Sequence, residues 1–341
     1  MYSADQIFRG LFNPSLATRE FKKQINIRLP HDFGVQGSYY TGNIGDRALG
    51  ELFKKQLQQE GYRTKLFGMR VRDSNAPNRV LGGGGVLHDW YSMDQLERRL
   101  GYVSGGENGY IVGVGVPGFR SPDAKKLIAN TLPDLELITV RDKRSKQNIK
   151  SICDVDVTVT ACPAFLYEDP SVETKEKTGI NFRPWFDEGE KSEKVLKEYF
   201  EYNDLTKASK SYIENARNIC QKVDDPIFIP FHYKDEEFAK KYLDIPTLDY
   251  KFSVQKTLQR VSRVNRMVTM RYHSLIFAAI CNKPILALGY APKVTELTKQ
   301  MKIPVYKPHK PISIQFSQVS NLDSIRSSAQ ENFNRLFEMT N

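Results

Sequence analysis

The sequence is poor in the features that usually settle a protein's chemistry at a glance. Its four cysteines, Cys153, Cys162, Cys220 and Cys281, form no CxxC pair. A zinc or redox framework therefore has little support, and a reduced, cytoplasmic chain is the simpler expectation. No run of about 18 consecutive apolar residues occurs, which argues against a membrane-spanning helix. The first apolar stretch is interrupted by Asp5 and Arg9, against a signal-peptide core. No short-period repeat is visible. The formal net charge is +10, yet no dense basic block is present; Lys and Arg cluster only in short pairs such as Lys22-Lys23, Lys54-Lys55 and Lys240-Lys241. Charge alone leaves nucleic acid, an anionic membrane face and a small anionic substrate all open. The basic residues do not interleave with aromatics as a stripe, which speaks against nucleic acid.

What is present is a chain of 341 residues, 40% apolar and 26% charged, enough for two domains with substantial cores. Apolar strand-like runs alternate with helix-like stretches. Arg79–Leu81 leads into four glycines, Gly109–Val116 ("GYIVGVGV") reads as a buried strand, Ser121–Leu132 as a helix, Leu135–Val140 as a strand, Asp142–Lys150 as a helix and Val155–Thr160 as a strand. After a polar stretch at Glu168–Glu176 the rhythm resumes. Thr178–Phe182, Pro226–Pro230, Arg266–Met270 and Pro284–Leu288 read as strands, with Ser209–Val223, Asp235–Leu243, Ser253–Val264, Ser274–Cys281 and Pro292–Gln300 as helices between or after them. That alternation predicts an α/β fold with two parallel-sheet, Rossmann-like domains. The expected boundaries are 1–170 and 171–320, with a C-terminal helix in 321–341 packing back on the N-terminal domain. Open parallel sheets bind ligands beyond the carboxyl ends of their strands, so the strand-to-helix junctions are the places to look for chemistry.

Five junctions stand out. "VLGGGGVLHD" puts Gly83, Gly84 and Gly85 after a strand, followed by His88 and Asp89. Such a run serves a crowded turn or a backbone cradle for an anion; it lacks the Gly-Lys-Ser/Thr of a Walker loop. "YTGNIGD" offers Asn43 and Asp46 ahead of a helix at Arg47–Glu60, with Asp46 as its cap or as part of a cleft wall. In "ITVRDKRS", Arg141 follows a buried strand and Asp142 can cap the next helix. An arginine there can clamp a carboxylate or phosphate with two parallel hydrogen bonds. "MVTMRYHSLIFAAI" places Arg271 and His273 at the entrance of an apolar helix, an expensive position for two cations without an anion. In "GYAPK", Lys293 opens a helix whose N-terminus favours phosphate. His232, after the "PIFIP" strand, is a further candidate. No constellation requires a metal.

Taken in order, "GSYYTGNIGD", "GGGGVLHD", "VRDKRS", "GINFRP", "RYHSLIFAAICNKP" and "YAPK" resemble the polysaccharide pyruvyl transferase family, over Gly37 to Lys293. "TACPAFLY" departs from it, with Cys162-Pro163 where many relatives have Asp-Pro. The resemblance implies a glycosyltransferase B-like architecture with an interdomain cleft. It also implies transfer of the pyruvyl group of phosphoenolpyruvate onto two hydroxyls of a sugar as a ketal, in surface polysaccharide biosynthesis. No cofactor is then expected besides phosphoenolpyruvate as donor substrate. His273 would be the proton donor, Arg141, Arg271 and Lys293 would hold the donor's anionic groups, and Asp89 or Asp46 would take a hydroxyl proton. Asn43, the glycines, His88 and His232 would line the cleft. The acceptor could be carried on a lipid at the inner membrane face, against which the amphipathic "DQIFRGLF" could rest; a packed or frayed helix is the plainer reading. Two rival readings are a glycosyltransferase of the same architecture that uses a nucleotide sugar, and a non-enzymatic anion-binding module.

Overall fold

The computed structural model describes residues 30–185 and 204–340. The N-terminal amphipathic stretch lies outside the described residues. The first half carries β1 (Phe33–Gly37), α1 (Ile44–Gln59), β2 (Thr64–Gly68), β3 (Asn78–Gly82), α2 (Met93–Val103), β4 (Asn108–Val114), α3 (Pro122–Thr131), β5 (Leu137–Val140), α4 (Lys143–Lys150) and β6 (Thr158–Val159). The second half carries β7 (Lys175–Asn181), α5 (Leu205–Lys222), β8 (Pro226–Phe228), α6 (Tyr233–Tyr242), α7 (Val254–Ser262), β9 (Val264–Thr269), α8 (Tyr272–Ile280), β10 (Ile285–Leu288), α9 (Pro292–Met301), β11 (Val305–Tyr306) and α10 (Leu322–Glu338).

Two parallel sheets result. The first has six strands in the order β2-β1-β3-β4-β5-β6, the second five in the order β11-β10-β9-β7-β8. Counted from its own first strand, the first sheet runs 2-1-3-4-5-6 and the second 2-1-3-4-5. The direction of winding therefore reverses between β1 and β3 in one and between β7 and β9 in the other, which is where such sheets leave a crevice for ligand. Strands buried on both faces are continuously apolar; β4 and β10 show this, with all of Ile285–Leu288 buried. This is the α/β architecture with two parallel sheets that the alternating pattern predicts.

Several boundaries differ from expectation, for local reasons. Helix α1 starts at Ile44, three residues early, because Asn43 is its N-cap and accepts a hydrogen bond from the Gly45 N–H. Asp46 thus lies in the first turn and is not the cap. The expected strand Val155–Thr160 pairs only at Thr158–Val159. Helix α8 is buried at every residue from Tyr272 to Ile280, as a helix apolar all round must be.

The chain does not stay in the second half. The Asn332 side chain on α10 accepts from the hydroxyls of Thr139 (2.6 Å) and Thr160 (2.8 Å) and donates to the Ala161 carbonyl (2.9 Å). Phe333 packs on Phe53 of α1 at 5.1 Å between ring centroids. Tyr62 and Phe337 stack at 6.5 Å.

Candidate active site

Where the carboxyl ends of the two sheets meet, a cleft of about 250 Å³ opens. Its N-terminal wall is formed by Ser38, Asn43, Asp46, Gly85, Val86, His88, Tyr91, Arg99 and Arg141. Its C-terminal wall is formed by Arg183, Phe231, Arg271, Tyr272, His273, Tyr290 and Lys293. The halves touch closely around it. The Ile44 N–H donates to the Phe231 carbonyl (2.9 Å), and the Tyr250 hydroxyl donates to the Gly42 carbonyl (2.6 Å). The Arg141 guanidinium lies 4.1 Å from the Tyr272 ring centre.

His273 and Gly45 make the tightest cross-domain fit. A Cβ at Gly45 would fall inside the imidazole ring of His273, so only glycine in the first turn of α1 lets that ring stand against the helix. The Cys162 sulfur lies 3.8 Å from His273 Nε2. The extended chain stops at Thr269, and α8 begins at Tyr272 with Arg271 as its N-cap residue. Arg271 and His273 therefore reach the cleft from a helix terminus rather than by strand alternation.

Among the described residues most α-helices use a side-chain cap: Asn43, Ser92, Ser121, Asp142, Asp204, His232 and Ser253 cap α1 to α7. Helices α8 and α9, which bring His273 and Lys293 to the cleft, have none. Their N-terminal partial positive charge remains on the site and favours an anion there.

The electrostatics follow from burial and crowding of one sign. Five cations, Arg99, Arg141, Arg183, Arg271 and Lys293, face one carboxylate, Asp46. Burial raises Asp46 to about 6, against the pull of Lys293, Arg141 and Arg271. His273 is held well below the usual histidine range by burial first, then by Arg141, Lys293 and Arg271. Burial also raises the Tyr290 phenol, but Arg183, Lys293 and Arg271 outweigh it and bring it down to about 7. The Arg183 guanidinium sits 4.5 Å from the Tyr290 ring centre and the Lys293 amine 5.5 Å from it. His88 is driven down to about 3 by burial and by Arg99.

Three of the arginines are partly committed, Arg141 among them through the Asp142 carboxylate 3.5 Å from its Nε. Asp235, fully buried, grips Arg271 at 2.6 and 2.5 Å through Nε and Nη2. That leaves Arg271 only part of its fork for a ligand. Arg99 donates to the Val86 carbonyl (2.5 Å), the His88 carbonyl (3.4 Å) and the Gln95 amide oxygen (2.8 Å), holding the loop after β3 in place. Arg141 lies along Gly115, where a Cβ would collide with its guanidinium.

Asn43, Asp46, Gly85, His88, Arg141, Arg271, His273 and Lys293 thus line one cleft. Four candidates do not. Gly83 and Gly84 adopt φ of +65° and +78° and turn the chain beneath α1. The Gly83 N–H donates to the Val112 carbonyl (2.8 Å), and the Gly84 carbonyl accepts from Gly115 (2.7 Å). The glycine run is therefore a turn, with Gly85 alone on the cleft. It is not a cradle at a helix N-terminus, since α2 starts only at Met93. Asp89 accepts from the backbone N–H groups of Arg120 and Ser121, both at 2.9 Å, ahead of α3. Burial alone would raise its carboxyl, but those bonds bring it below the usual range. His232 caps α6, its Nδ1 accepting from the Lys234 N–H at 3.1 Å, and is lowered to about 4 by burial and Arg271. Sequence reasoning passed over Ser38, Tyr91, Arg99, Arg183 and Tyr290. Among the described residues no group of three His, Cys, Asp or Glu side chains converges as a metal site.

Two doubly wound parallel sheets with a cationic cleft lined from both define the class, an α/β protein with its candidate site between the sheets. The chain belongs to the polysaccharide pyruvyl transferase family, whose model matches residues 43–292, well over half of its length. A transferase activity follows from that membership. No curated protein matches the chain. Among solved structures it is similar to a protein of uncharacterised function from Klebsiella pneumoniae, at 14% identity over 85% of this chain and 98% of that one, with a TM-score of 0.48. It is also similar to sucrose-phosphate synthase from Thermosynechococcus elongatus (10% identity, 91% and 94% covered, TM-score 0.41). A third similarity is to the wall teichoic acid polymerase TagF (10%, 99% and 92%, TM-score 0.36). At these TM-scores the likenesses add nothing to what the two sheets show. No helix among the described residues is long and apolar enough to cross a membrane.

Proposed function

We propose that the protein transfers the pyruvyl group of phosphoenolpyruvate onto two hydroxyls of a sugar, closing a cyclic ketal on a surface polysaccharide or its precursor. The observation that carries this reading is the charge of the cleft: five cations and two helix N-termini without side-chain caps, against Asp46 in the lining and the Asp235 and Asp142 partners of Arg271 and Arg141. Phosphoenolpyruvate brings a carboxylate and a phosphate, the complement of that wall. Lys293 and Arg183 on one side and Arg141 on the other bind these groups, and Arg271, fixed by Asp235, adds charge from behind.

Burial first, then Arg141, Lys293 and Arg271, opposes the charge of His273 and favours its neutral form. The donor's negative charges reverse that opposition, so His273 takes up a proton as the donor binds. It passes this proton to the methylene carbon, and C2 becomes oxocarbenium-like. A sugar hydroxyl adds at C2 and gives its proton to Asp46, whose raised pKa suits a base working near neutrality. The C2–O bond to phosphate then breaks. The second hydroxyl closes the ketal and its proton leaves with the phosphate, while the proton on Asp46 restores His273. Atoms and charge balance over the cycle. A positioned acid of this kind contributes roughly 10²–10⁴-fold.

The test is thermal-shift screening followed by single variants. Phosphoenolpyruvate should raise Tm, and a nucleotide sugar should not. His273→Ala should keep donor binding and lose about 10²-fold or more in ketal formation. Ketal formation by His273→Ala at the wild-type rate, or stabilisation by a nucleotide sugar alone, refutes the assignment.

A further inference from the structure

The cleft is rich in charge, and aromatic rings share its lining. Among the described residues four large hydrophobic side chains are strongly exposed: Tyr40 (63%), Tyr91 (49%), Tyr233 (45%) and Met339 (52%). The three tyrosines all belong to strand-to-helix junctions that feed the cleft. Tyr40 lies between β1 and α1, Tyr91 between β3 and α2, and Tyr233 opens α6 after β8. The Tyr233 ring lies beside Gly42, one residue before Asn43 of the cleft wall. An exposed aromatic ring on the wall of a ligand cleft costs solvation that a bound ligand relieves.

Tyr91 is the one that lines the cleft itself. Its surroundings hold it while leaving it open. The neighbouring Trp90 is anchored through Nε1 to the Gly118 carbonyl (3.1 Å), with the Arg120 guanidinium 5.2 Å from its ring centre. The His88 ring lies 5.3 Å from that of Tyr91, tilted by 56°, and His88 Nδ1 accepts from the Trp90 N–H (3.1 Å). Burial keeps His88 neutral. The loop thus presents an aromatic platform, propped by an uncharged imidazole, at the edge of a wall of arginines.

We propose that Tyr91 is the platform of a carbohydrate subsite, on which the apolar C–H face of a pyranose ring stacks while its hydroxyls face the charged interior. As the acceptor site of the transferase this rests on the pyruvyl-transfer reading; as a sugar site it stands on the ring's placement. A sugar fits both halves of this boundary, because one molecule carries an apolar face and a rim of hydroxyls. A second anion would have no reason to meet a neutral ring at the opening. A lipid or protein surface would call for one continuous apolar face, whereas the three rings stand on separate loops.

The experiment uses the full chain and named probes. Saturation-transfer NMR is run with methyl pyranosides of the gluco, galacto and manno series, with and without phosphoenolpyruvate, on wild type, Tyr91→Ala and Tyr91→Phe. Donor binding is followed in parallel by thermal shift. Transfer to pyranoside ring protons in wild type, lost at least threefold in Tyr91→Ala, kept in Tyr91→Phe and accompanied by unchanged donor stabilisation, supports the subsite. Transfer unchanged in Tyr91→Ala, or absent for every pyranoside, overturns it. Loss of donor stabilisation together with pyranoside transfer also overturns it, since the ring would then serve the donor. If wild type shows Tyr91-dependent transfer but no response to phosphoenolpyruvate, the pyruvyl-transfer reading fails and the sugar subsite stands. Tyr91→Phe guards against misfolding as the cause, because it keeps the ring and removes only the hydroxyl.

Discussion

Gly45 and His273 belong to different sheets, 228 positions apart in the chain, and one is shaped by the other. Replacing Gly45 by alanine gains helix propensity of up to about 1 kcal/mol but drives a methyl group into the imidazole. The ring must move, at an overpacking cost of about 1–3 kcal/mol. A displacement of about 1 Å at a reacting group can cost on the order of 10²-fold. Gly45→Ala is therefore expected to lose about 10²-fold in turnover while its urea midpoint falls modestly; turnover at the wild-type level would remove His273 from the chemistry. Asp235→Ala leaves the buried Arg271 charge without its partner and is expected to cost about 3–5 kcal/mol in urea unfolding. Residues at junctions were legible in the sequence for a physical reason: Arg141, Arg271 and Lys293 follow buried strands, where a charge demands explanation. Arg183 lay in "GINFRP" two residues past β7 and answered to the same reasoning. Arg99 did not, because it reaches the cleft from the middle of an ordinary amphipathic helix. Nothing in its spacing separates it from the neighbouring Arg98, which pairs with Asp94 at the surface. Asp89 was misplaced because a carboxylate that serves backbone N–H groups and one that serves a substrate look alike in sequence.

Among the elements, those with strong apolar runs were readable and those whose residues serve close approach were not. β4, β5, β9 and β10 are apolar enough to announce themselves. β1 is "FGVQG", with two glycines in five residues, and β2 is "TKLFG"; both have weak strand propensity, and packing decides. At Gly34 a Cβ would meet the Phe67 ring and the Tyr102 hydroxyl, so the glycine that weakens the strand signal is what lets these aromatics pack there. Helix α10 shows the opposite case, a clear helix whose polar residue is structural. Asn332 is fully buried and satisfies Thr139, Thr160 and Ala161 together. Asn332→Ala strands those groups and is expected to cost about 1–3 kcal/mol, read as a lower urea midpoint with unchanged slope. A change below about 0.5 kcal/mol would mean water replaces the amide.

At the scale of the whole molecule, buried histidines make stability depend on acid. His88 stays neutral down to about 3, His232 down to about 4, and His273 is also lowered well below its usual value. In the unfolded chain all three take protons near 6.5. The unfolded state therefore binds more protons below about 6.5, and stability falls as pH drops from there toward 4. Asp46 opposes this in part: its folded value of about 6 lies above the unfolded 3.8, so the folded form gains one proton in the same window. Three histidines against one carboxylate leave a net loss. Tm is expected to fall steadily between pH 6.5 and 4.5, and a flat profile would contradict the burial of these rings as neutral groups. Donor binding should work the other way. Phosphoenolpyruvate raises the affinity of His273 for a proton, so calorimetry at pH 7 in buffers of different ionisation enthalpy should register net proton uptake.

The path of α10 also bears on how the molecule is made. Thr139 and Thr160 lie in the first half of the chain, yet their buried hydroxyls meet Asn332 only after 172 or more further residues have been added. On a ribosome the N-terminal sheet emerges first and waits, its surface for α10 uncovered, while the whole second sheet is synthesised. Helix α10, made after the second sheet, is the one that closes over the first. The N-terminal wall of the cleft thus reaches its final packing only once α10 has been made, when the opposite wall is already available to meet it.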